Sequence, residues 1–215
     1  MYRYHPQIKD IIKILKEDEI GQPISMESSF GENLLTKKLF FFDKKKKVNP
    51  NARLFNKELG GGSILDLGCY PSSFSLLIAS VLKKIDFKNF EIVDIKKDIG
   101  ETGVDIDSSA TIKFEGGFSS MIKSSFKKNI GNKSIINGKK GSIIINDTWF
   151  GKGIIKVLGD KIYEIKNKSE KKIFSYEIEN ISEFILHDLN EASFPGMSLE
   201  ETLLNTKILE EWLNA

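Results

Sequence analysis

Between Phe87 and Ile178 the sequence falls into short β-like segments cut by tight-turn residues, and this limits the fold more than any other feature. Strand-like runs are Phe90–Ile95, Ala110–Phe114, Phe118–Phe126, Ser134–Ile136, Ser142–Ile145, Ile154–Leu158, Lys161–Ile165 and Ile173–Ile178. Glu115-Gly116-Gly117 and Gly138-Lys139-Lys140-Gly141 suit hairpin turns, and Gly159-Asp160 suits another. Parallel neighbours would need crossover helices between the runs, and the spacing leaves no room for them. A largely antiparallel sheet follows.

Helical signals lie on either side of that block. Ile8, Ile11, Ile12 and Leu15 recur at i, i+3, i+4 and i+7, which predicts a helix from about His5 to Lys16, with Pro6 in its first turn. Gly21 stops it, and Ile24, Met26, Ser28 and Phe30 alternate with polar residues as in a strand. Leu34 to Leu59 has no clean period and reads as a long excursion. A second helix follows Gly60-Gly61-Gly62 and reaches about Leu82. Two more are expected near the end, Ile181–Leu189 and a helix from Ser198 to about Leu213, where Glu201 completes a capping box. The expected class is α+β: an open, mostly antiparallel sheet with helices on one face, residues 1–215 forming a single domain.

The 215 residues are 40% hydrophobic and carry a net charge of +2, so composition gives no general reason to expect nucleic acid or an acidic surface as partner, and no membrane partner is expected. One cysteine, Cys69, excludes an internal disulfide framework, and the N-terminus has no apolar leader. No apolar run reads as a membrane span, and a cytoplasmic location is expected. His5 and His187 are the only histidines and have no metal-ligand spacing, so no metal is expected. Lys44–Lys47 reads as solvated surface. Phe40-Phe41-Phe42 beside it is odd for an exposed loop; the three would cover a cleft or pack on a neighbouring subunit. No Gly-x-Gly-x-x-Gly opens a helix after a strand, so the dinucleotide fingerprint is missing.

The segment with chemistry in it is Gly60-Gly61-Gly62-Ser63-Ile64-Leu65-Asp66-Leu67-Gly68-Cys69-Tyr70-Pro71. On an α-helix Asp66 and Tyr70 stand at i and i+4, on one face. A carboxylate and a phenol opening into one cleft can bind a polyhydroxylated substrate and pass a hydroxyl proton. The bland alternative is a helix-start carboxylate beside a half-buried core tyrosine. Gly68 and Pro71, both poor in a helix interior, mark a special backbone there.

Arg3-Tyr4-His5-Pro6-Gln7, Arg53-Leu54-Phe55 and the Gly-Gly-Gly-x-x-x-Asp-x-Gly-x-Tyr run, in this order, resemble one family. It is the glucose–fructose oxidoreductase, inositol dehydrogenase and rhizopine-catabolism (Gfo/Idh/MocA) family, on its dihydrodiol dehydrogenase branch. Thr102-Gly103-Val104-Asp105, the Gly138–Gly141 turn and Met197-Ser198-Leu199-Glu200-Glu201 are similar to its later landmarks. The resemblance implies the C-terminal half of an NAD- or NADP-dependent oxidoreductase acting on a sugar, polyol or diol. Its Rossmann domain would come from a separate chain, or from coding sequence upstream of Met1. Asp66 would bind substrate hydroxyls, Tyr70 would handle the proton, Arg53 would reach the same cleft, and Arg3, His5 and Gln7 would lie near the cofactor. Activity of the chain alone is not expected. The exposed sheet face, with alternating Ile, Val and Phe, would join copies into a homo-oligomer. The competing reading is a non-enzymatic binding or assembly module on the same fold.

Overall fold

The computed structural model describes residues 1–39, 41–166 and 171–215. Its elements run α1 (Pro6–Lys16), β1 (Pro23–Gly31), β2 (Thr36–Leu39), β3 (Phe42–Lys45), α2 (Cys69–Val81), β4 (Asp86–Ile99), β5 (Asp105–Glu115) and β6 (Phe118–Ser125). They continue with β7 (Ser134–Gly138), β8 (Gly141–Ile145), β9 (Ile154–Leu158), β10 (Lys161–Ile165), α3 (Ile173–Leu186) and α4 (Leu199–Asn214). Eight strands form one open sheet in the order β10-β9-β8-β7-β1-β6-β5-β4, and β2 and β3 form a separate two-stranded ribbon. The class is α+β, as expected.

Every neighbouring pair in the large sheet is antiparallel except β1–β6, which is parallel. The exception arises because β1 enters the middle of the sheet after α1, whereas the later strands add outward through hairpins. The helices cover one face: α2 lies against β1, β4 and β6, with α4 beside it and α1 next to it. Met26 and Phe30 of β1, Ile122 of β6, Ile136 of β7 and Ile143 of β8 turn towards the helices and are buried. The most apolar helical stretch, Lys57–Val81, is long and apolar enough to cross a membrane by length and composition. Two thirds of its most apolar window is buried in the fold, which identifies it as the core helix.

On the opposite face, register aligns Val93, Thr111, Met121, Glu27, Ile135, Ile144 and Ile155 in one row. Apolar side chains concentrate on the β7–β9 side. Towards β4 the neighbouring rows are polar, with Glu91, Lys113 and Ser119 in one and Lys96, Ser109 and Lys123 in the other. The apolar patch is therefore a band rather than the whole face.

Two expectations need correction. Ile173–Ile178 is not a strand: with the residues that follow, it forms the single helix α3. Phe174, Tyr176 and Ile178 alternate, which imitates a strand, but Phe174, Ile178, Ile181 and Ile185 also fall at helical spacing, and over fourteen residues the helical period wins. The excursion after Leu34 is also less irregular than expected, since it contains the β2–β3 hairpin and two short 3₁₀ turns, Arg53–Phe55 and Lys57–Leu59. Of the three phenylalanines, Phe40 lies outside the described residues, and Phe41 is wholly exposed.

Candidate functional site

The backbone that carries Asp66 is built by close packing. Gly61 lies against the carbonyls of Arg53, Leu54 and Asn56, where a Cβ would come within 2.7–2.8 Å of all three oxygens. The Gly61 and Gly62 amides donate to Asn56 O and Leu54 O, both at 2.9 Å. Gly62 has φ +112° and faces the buried carboxylate of Asp105, which a side chain there would strike. Asp105 Oδ2 in turn accepts from Ser63 Oγ at 2.7 Å and from the Ile64 amide at 2.8 Å. It acts as a buried cap that fixes where the site helix starts.

From Ile64 to Gly68 the helix is wound as a π-helix before it tightens into α2. The i, i+4 face-sharing of Asp66 and Tyr70 assumed α geometry, so their relation is looser than the sequence suggests. Pro71 has no amide hydrogen to donate in the first turn of α2, and the wider winding just before it accommodates that gap. Gly68 is explained by packing: a Cβ there would lie 2.8 Å from the Trp212 ring of α4.

Arg53 and Asp66 form an ion pair from Arg53 Nη2 to Asp66 Oδ1, with the guanidinium exposed and the carboxylate partly covered. Tyr70 is half-buried, with its ring 5.1 Å from Phe30, 5.6 Å from Trp149 and 6.4 Å from Tyr2. Burial pushes its phenol pKa up, and the negative charges of nearby groups, Asp66 and Glu177 among them, push it further the same way. Tyr70 therefore keeps its proton at neutral pH and can donate it. Cys69 next to it is partly buried, and burial with the Asp66 charge raises its thiol to about 11, so it is not a nucleophile at neutral pH.

Arg3, His5 and Gln7 are all buried. Arg3 pairs with Glu201 at 2.9 Å and donates to Ser73 O at 2.8 Å, tying the N-terminal segment to α2 and α4. His5 caps α1, its Nδ1 accepting from the Gln7 amide at 3.2 Å, and burial lowers its pKa. Gln7 donates to Asp147 O at 3.2 Å and accepts from the Gly153 amide at 2.9 Å. With these groups engaged inside the chain, and no glycine-rich phosphate loop, the described residues do not fit a dinucleotide by themselves. Among the described residues no three His, Cys, Asp or Glu side chains converge on a metal site.

Sequence reading missed Tyr2, Phe30 and Trp149 as the wall behind Tyr70, and Glu177 as a charge acting on it. The aromatic pair Trp149-Phe150 just before Gly151 was the available signal.

The GFO/IDH/MocA C-terminal domain model matches residues 8–144. The trans-1,2-dihydrobenzene-1,2-diol dehydrogenase of Xenopus tropicalis is 28% identical over 218 residues, covering 98% of this chain and 59% of that protein. The chain thus spans about three fifths of the length of the curated relatives it matches. Among solved structures, the aldose–aldose oxidoreductase of Caulobacter crescentus complexed with glycerol superposes with a TM-score of 0.75 at 20% identity, over 98% of this chain and 58% of that one. The 3-ketoreductase KijD10 of Actinomadura kijaniata, in complex with TDP-benzene and NADP, gives 0.72 at 17% identity with the same coverage. At these identities the structural matches speak for the fold.

Proposed function

Because this chain belongs to the GFO/IDH/MocA family through its C-terminal domain, we propose that it is the substrate-binding half of an NAD- or NADP-dependent oxidoreductase acting on a sugar, polyol or diol. The observation that carries this reading is the Arg53–Asp66 ion pair beside Tyr70, a phenol that burial and neighbouring charge keep protonated. The names of the relatives, dehydrogenases of a diol and oxidoreductases of aldoses, support the substrate class. The nicotinamide would be held by a further domain, in the same polypeptide or a separate one, since the described residues do not fit a dinucleotide by themselves. In this reading the protein is cytoplasmic, and copies associate through the Ile135–Ile144–Ile155 band.

What this chain contributes is binding and proton handling. Asp66, held by Arg53, accepts hydrogen bonds from substrate hydroxyls through its two oxygens. Tyr70 donates its proton to the substrate oxygen in the reducing direction and recovers it in the oxidising one. The aromatic wall of Tyr2, Phe30 and Trp149 fixes the Tyr70 ring and keeps water from behind it. Asp105, Gly62 and the Gly61 contacts set the backbone, and Arg3, His5 and Gln7 hold the supporting layer.

Asp66→Asn tests the binding role. An amide offers a single acceptor oxygen and loses the ion pair with Arg53, so KM for the polyol should rise about tenfold or more, the scale of one charge-assisted hydrogen bond. An unchanged KM in the assembled enzyme would remove Asp66 from the site.

A further inference from the structure

We propose that the β2–β3 hairpin is a docking element for an anionic lipid bilayer. Six lysines and one acidic residue, Asp43, fall within residues 36–47, and a run of four apolar residues, Leu39 to Phe42, lies in the middle of that sequence. The two strands pair only with each other, Thr36 opposite Lys45 and Leu39 opposite Phe42, so the ribbon is not a continuation of the main sheet. Its ladder runs one rung further, Lys46 N donating to Leu35 O at 2.8 Å, and the ribbon is tied to the body where Lys45 pairs with Glu101 of the β4–β5 turn. Phe41 at the turn is wholly exposed, and Lys37 and Lys44–Lys47 on either side of it are exposed. A solvated loop accounts for the lysines but not for a fully exposed phenylalanine at the turn.

The order along the ribbon selects the partner. In sequence the apolar run is flanked by lysines on both sides, and Phe41 of that run stands exposed at the turn. This is the depth profile of a bilayer, apolar inside and anionic at its surface. A single-stranded nucleic acid alternates bases and phosphates and calls for interleaved aromatic and cationic side chains, whereas here the two are segregated. The composition-based expectation of no membrane partner concerned net charge and spanning segments; this element is peripheral and local. Each lysine close to an anionic surface is worth roughly fivefold in partitioning at low salt.

The test is co-sedimentation of the 215-residue chain with vesicles of phosphatidylcholine alone or mixed with phosphatidylglycerol. The chain should pellet with the anionic vesicles and stay in solution with the neutral ones. Lys44→Glu with Lys46→Glu, which leaves the Lys45–Glu101 pair intact, should cut anionic binding at least tenfold. Phe41→Ser should lower the binding that survives at high salt, where charge attraction is screened. Melting temperatures should stay at the wild-type value, since these side chains are exposed. No pelleting with anionic vesicles at low salt, equal binding by the lysine variant, or binding to single-stranded oligonucleotide in place of vesicles would overturn the assignment. The outcome does not depend on the oxidoreductase reading, because no turnover is measured.

Discussion

Cys69 shows how one residue reports on the whole site. It sits between the two proposed functional side chains, and its thiol is raised to about 11 from a usual value near 9 by burial and by the charge of Asp66. A group with a raised folded-state pKa stabilises fully below its unfolded value and loses that contribution as pH rises through the folded one. Unfolding free energy should therefore fall between about pH 9 and about pH 11, with the raised tyrosines Tyr2 and Tyr70 adding in the same direction from about pH 10 upward. Denaturant titrations across this range on wild type and Cys69→Ala check it: the variant should lose the lower part of the slope, and identical profiles would contradict the assignment. Other residues were legible before the structure. The Ser198–Glu201 capping box forms as its spacing demands, whereas the ion pair between Arg53 and Asp66 was not foreseen. Trp149 was not legible as the neighbour of Tyr70, because nothing local links positions 79 residues apart in the chain.

At the scale of elements, the site rests on the entry to its helix. The three glycines were visible, but the sequence did not say which constraint each satisfies. Gly61 answers to carbonyl packing and Gly62 to both its φ of +112° and the Asp105 carboxylate. Gly62→Ala should cost more than about 1 kcal/mol through the positive φ alone, and more again because Asp105 must move. The loss should appear as a lower melting temperature together with a higher KM, since Asp66 N is bonded to Gly62 O at 3.2 Å and would shift with it. A variant with unchanged melting temperature would contradict that packing. The π winding of Ile64–Gly68 was hidden, because apolar periodicity cannot separate 3.6 residues per turn from a single wider turn. The strand reading of Ile173–Ile178 failed for a related reason: six residues are too few for one period to exclude the other.

For the whole molecule, the hairpin turns fixed neighbours close in sequence, and that part of the sheet follows the expectation. The parallel β1–β6 pair was not legible, since it joins segments about ninety residues apart with no local turn between them. The same scale decides what the chain can do alone. Lacking a phosphate-cradling loop, it should show no micromolar binding of NADH or NADPH by calorimetry, and such binding would contradict the division of labour proposed for it. The proton donor is the centre of the account. In the enzyme assembled with a nucleotide-binding domain, Tyr70→Phe keeps the ring against Phe30 and Trp149 and removes only the hydroxyl. Turnover should fall about 10²–10⁴-fold, the usual weight of general acid catalysis, while the melting temperature stays within about a degree or two of wild type. A lower melting temperature with turnover per folded molecule unchanged would make Tyr70 a packing residue and contradict the account.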